Sequence, residues 1–86
     1  MMPTNLSNGF TGAHQISEKE FNQVEGRLKK LYVSSRFCMN LYLDEATGEY
    51  YSTALDNRGP AYYMVYFRHS KEHIDFQWWE QNAEKR

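Results

Sequence analysis

The chain has 86 residues and a formal net charge of −1, which limits it to one domain and excludes a general electrostatic drive toward DNA, RNA or anionic lipid. Its single cysteine, Cys38, excludes an internal disulfide framework and a cysteine-rich zinc site and fits a reducing compartment. No stretch approaches the ~20 apolar residues of a membrane span, and MMPTNLSNGFTGAHQ has neither the charged region nor the apolar run of a signal peptide, so the expectation is a soluble cytoplasmic protein without membrane contact.

Residues 1–15 are rich in Asn, Thr, Ser and Gly and lack periodicity, which reads as a flexible tail. Residues 16–86 read as a single α+β domain. The segment ISEKEFNQVEGRLKKLY, residues 16–32, predicts a helix. Ser17 and Glu20 have capping-box spacing, and Ile16 and Phe21 that of a hydrophobic staple. Phe21, Val24, Leu28 and Leu31 form an apolar stripe. Glu18 and Glu20 sit near the positive end of the dipole, Lys29 and Lys30 near the negative end. Gly26 on the solvent side costs ~1 kcal/mol relative to Ala.

From Arg36 onward the period becomes two. RFCMNLYLD, EYYSTALD, AYYMVYFR and HIDFQWWE predict four strands. Ala46-Thr47-Gly48 suits a three-residue hairpin loop with Gly in the left-handed position. That loop sets Leu43 opposite Tyr51. Asn57-Arg58-Gly59 reads as a second such loop, pairing Thr53 with Tyr63. A loop from His69 to Glu72 pairs Phe67 with Ile74. The expected architecture is an N-terminal helix on one face of a four-stranded antiparallel meander, a two-layer α-β-β-β-β domain. This order of elements is similar to that of cystatin-like domains, a resemblance of layout alone that implies nothing about function.

The same registers place Tyr42, Tyr50, Tyr62, Met64, Tyr66 and Trp79 on the outer face, bordered by Gln77 and Asp75. Tyrosine and tryptophan offer large contact area with few rotatable bonds and a polar tip, and contiguous apolar patches mark interaction sites. These eight residues are the expected binding surface, for a protein partner or a second copy of the chain.

Chemistry is harder to find. His69 and His73 fall at opposite ends of a predicted turn, so the spacing does not make a metal pair. Cys38 has no neighbouring base in sequence. There is no phosphate-binding glycine loop and no zinc motif. Neither catalysis, a cofactor nor a metal is expected. Strand aromatics also suit base stacking, but the basic residues Arg27, Lys29, Lys30 and Arg36 gather around the predicted helix end. A single-stranded nucleic-acid-binding domain is therefore the alternative. The leading expectation is a small homodimeric protein-binding module, an inhibitor or adaptor of the kind mobile elements carry.

Overall fold

The computed structural model describes residues 13–58 and 60–84, with only the backbone of Asn57 and Arg58. It is an α+β fold with a five-stranded antiparallel sheet and two helices. The elements are β1 (His14–Ile16), α1 (Glu18–Glu25), β2 (Leu28–Ser34), β3 (Met39–Asp44), β4 (Glu49–Arg58), β5 (Ala61–His69) and α2 (Phe76–Asn82), with a single 3-10 turn at Lys71–His73 before α2. Sheet order is β1-β5-β4-β3-β2. Of the expected flexible tail, residues 1–12 lie outside the described residues, while His14 and Gln15 belong to β1.

The predicted helix starts as expected. The Ser17 hydroxyl accepts from the Glu20 amide at 3.1 Å, and Phe21 is buried. It then stops at Gly26 instead of reaching Tyr32. Leu28–Ser34 pairs with β3, so tertiary pairing overrides a helical period that Gly26 had already weakened. The alternation of β2 was hidden by a bulge between Lys30 and Tyr32. The extra residue reverses side-chain parity midway along the strand. Leu28 therefore packs on the α1 side, while Tyr32 stacks on Trp79 on the α2 side, with ring centroids 6.0 Å apart.

The expected fourth strand, HIDFQWWE, is the second correction. Asp75 caps α2, its carboxylate accepting from the Trp78 amide at 3.0 Å. Counted from that cap, Phe76 and Trp79 stand three residues apart on one helix face. Phe76 meets Tyr50 edge-on, and Trp79 is fully buried. The sheet is therefore covered on both sides. The α2 side holds Met39, Leu41, Tyr50, Ala54, Val65 and Phe67 against Ile74 and Trp79. The α1 side holds Ile16, Phe21 and Tyr51, with Tyr42 and Tyr66 packed around them.

Both hairpin registers also differ from expectation. Residues 45–48 form a four-residue loop in which the Gly48 amide donates to the Asp44 carbonyl at 2.8 Å. Leu43 consequently faces Tyr50, and Tyr51 faces Tyr42. A shift of one residue exchanges the two faces of a strand. The β4–β5 hairpin runs to Arg58 opposite Ala61, so Thr53 faces Tyr66 instead of Tyr63.

These placements set opposite expectations for two neighbours on α2. Trp79→Ala should cost about 3–5 kcal/mol, as for other buried tryptophans, whereas Gln77→Ala at an exposed position should stay within about 0.5 kcal/mol. Urea denaturation midpoints of the two variants measure the difference.

Candidate functional site: an aromatic hairpin arm

The eight residues expected on one outer face are dispersed. Tyr50 and Trp79 lie in the core beneath α2. Tyr42 and Tyr66 are half-buried on the other side of the sheet, with ring centroids 5.7 and 4.8 Å from Phe21. Burial pushes both of their hydroxyls up from the ordinary tyrosine value. Asp75 is the cap of α2, and Gln77 is exposed on that helix. Tyr62 and Met64 remain together at the exposed end of β5, and Tyr63 between them points to the opposite face. Their exposures are 68%, 46% and 51%, and they are the exposed large hydrophobic residues among those described.

Strand lengths explain why these three are uncovered. β3 pairs with β4 only as far as Ala54, and the last bond there runs from the Leu55 amide to the Cys38 carbonyl at 3.3 Å. β1 pairs with β5 only from Tyr66 to Arg68. The pairs Asp56–Tyr63, Asn57–Tyr62 and Arg58–Ala61 thus stand beyond both neighbouring strands. They form a two-stranded arm. α1 has only eight residues and covers the sheet near Tyr51 and Tyr66, leaving the arm's base open.

An open groove of about 340 Å³ lies at that base, lined in part by Val33, Cys38, Asn40, Leu55 and Met64; no charged residue among those described lines it. Cys38 sits in the tight turn between β2 and β3 with φ of +56°, a conformation uncommon outside glycine, asparagine and aspartate. Its amide donates to the Ser35 carbonyl at 3.3 Å. Arg58 belongs to the arm, whereas Arg27, Arg68, Lys30 and Arg36 lie elsewhere. Arg27 is paired with the buried Asp44 carboxylate at 2.9 Å, and Arg68 approaches Glu49 at 3.8 Å. Lys30 and Arg36 lie over the rings of Tyr42 and Phe37.

One polar pair was not legible in the sequence. Ser52 Oγ and His69 Nε2 share a hydrogen bond of 2.5 Å in the α2-side core, and both residues are buried. A serine beside a histidine base is the arrangement of an activated nucleophile. Here both groups are enclosed between the sheet and the α2 layer, where a substrate has no approach. The pair joins neighbouring strands β4 and β5 and reads as a structural bond. The expected His69–His73 separation also has a physical outcome: His69 is buried and His73 exposed. Among the described residues no three His, Cys, Asp or Glu side chains gather to hold a metal ion. No helix of the described chain is long and apolar enough to cross a membrane.

Comparison with protein-family models, curated proteins and solved structures finds no match to the chain.

Burial, and secondarily the charge of His73, lowers the pKa of His69 to about 4 from an ordinary 6.5. The unfolded chain therefore binds this proton more tightly than the folded one. Stability is full above pH 6.5 and falls as pH drops toward 4, by about 3 kcal/mol in all. The Asp44 carboxyl, held below its ordinary value by the bond from Arg27, acts in a separate window below about pH 4. His69→Gln should flatten the slope between pH 6.5 and 4 and leave the lower acid transition in place. Urea melts at half-unit pH steps test this.

Proposed function

We propose that the protein is a small, non-catalytic protein-binding module that docks through the β4–β5 arm, as an inhibitor or adaptor does. The observation that carries this reading is the gathering of Tyr62, Tyr63 and Met64 on a projecting hairpin beside a groove whose described lining residues are uncharged. Aromatic and methionine side chains with few central charges match the composition of interface cores. Their exposure carries a solubility cost that a bound partner removes.

The nucleic-acid alternative requires the same aromatics inside a positive surround, because phosphate neutralisation supplies most of the affinity for single strands. Arg58 belongs to the arm, but Arg27 and Arg68, both paired, and Lys30 against Tyr42 lie off it, and no charged residue among those described lines the groove. This geometry favours a protein surface as the target.

A photo-activatable phenylalanine analogue at position 62, in the full chain expressed in cells, should give discrete protein adducts. The same group in place of Lys19, exposed on α1, should give none. Adducts of equal yield at both positions would remove the arm as the docking element. Anisotropy titration with mixed-sequence single-stranded oligonucleotides gives the opposing test. Salt-sensitive binding at about micromolar strength, weakened at least tenfold by Tyr62→Ala, would replace the protein reading with the nucleic-acid one.

A further inference from the structure

We draw no further inference here: the strongest candidate, the surface patch of Val33, Leu55 and Met64 that lines the groove beside Cys38 at the base of the β4–β5 arm, belongs to the docking site already described, and nothing in the structure shows what covers it.

Discussion

Everything in this fold turns on how Asp44 ends β3. Its carbonyl accepts from the Thr47 and Gly48 amides, and its carboxylate accepts from the Ala46 amide at 3.1 Å and from Arg27. Those bonds close a four-residue loop and set Glu49 opposite Asp44. The parity of β4 follows, and with it the parity of β5. Tyr50, Ser52 and Ala54 are thereby turned toward α2, and Tyr51 and Thr53 toward α1. A loop one residue shorter would bury the opposite set. The carboxylate is fully covered, so its charge is tolerable only because Arg27 and the loop amide satisfy it. Gly48, at φ of +79°, supplies the left-handed backbone that closes the loop without a steric penalty.

Once that parity is set, a thin sheet acquires two hydrophobic layers. The deeper one is built on Trp79, which touches both Tyr32 and Trp78. The C-terminal end of α2 is tied down by the Ser34 hydroxyl bonded to the Asn82 carbonyl and by the Tyr32 hydroxyl bonded to Glu80. The shallower layer is an aromatic cluster around Phe21. In a chain of this size little apolar surface remains to spare. The arm leaves three large apolar side chains in water despite that, and this makes it the part of the molecule that packing alone does not explain.

The class of fold was legible in the sequence, as were the start of α1, the strand character of β3, β4 and β5, and the prominence of AYYMVYF. Their misalignment came from local rules with two solutions. Ala46-Thr47-Gly48 satisfies a three-residue loop as well as Glu45 to Gly48 satisfies a four-residue one, and only the Asp44 bonds decide. A bulge at Leu31 erased the alternation of β2 and left a helical pattern in its place. Trp78-Trp79 fits a strand by parity and a helix by its Asp75 cap, and the burial of Trp79 against Tyr32 settles the choice. Tyr50 and Trp79 moved into the core for these reasons. Tyr62 and Met64 stayed exposed because they lie past the ends of both flanking strands, a property of strand length that alternation does not report. The Ser52–His69 bond joins two strands and has no local signature at all.

β1 is only three residues long, yet it closes the longest loop in the sheet, pairing Ile16 with Tyr66. Closing that loop costs about 2 kcal/mol more in chain entropy than closing a tight hairpin, and a short strand has few bonds to offset it. β1 is therefore the element most easily released by local opening. Its release would leave the outer edge of β5 from Tyr66 to Arg68 without the strand that now pairs with it. A docked β1 is an edge guard: it occupies backbone groups of β5 that would otherwise be open to strand addition.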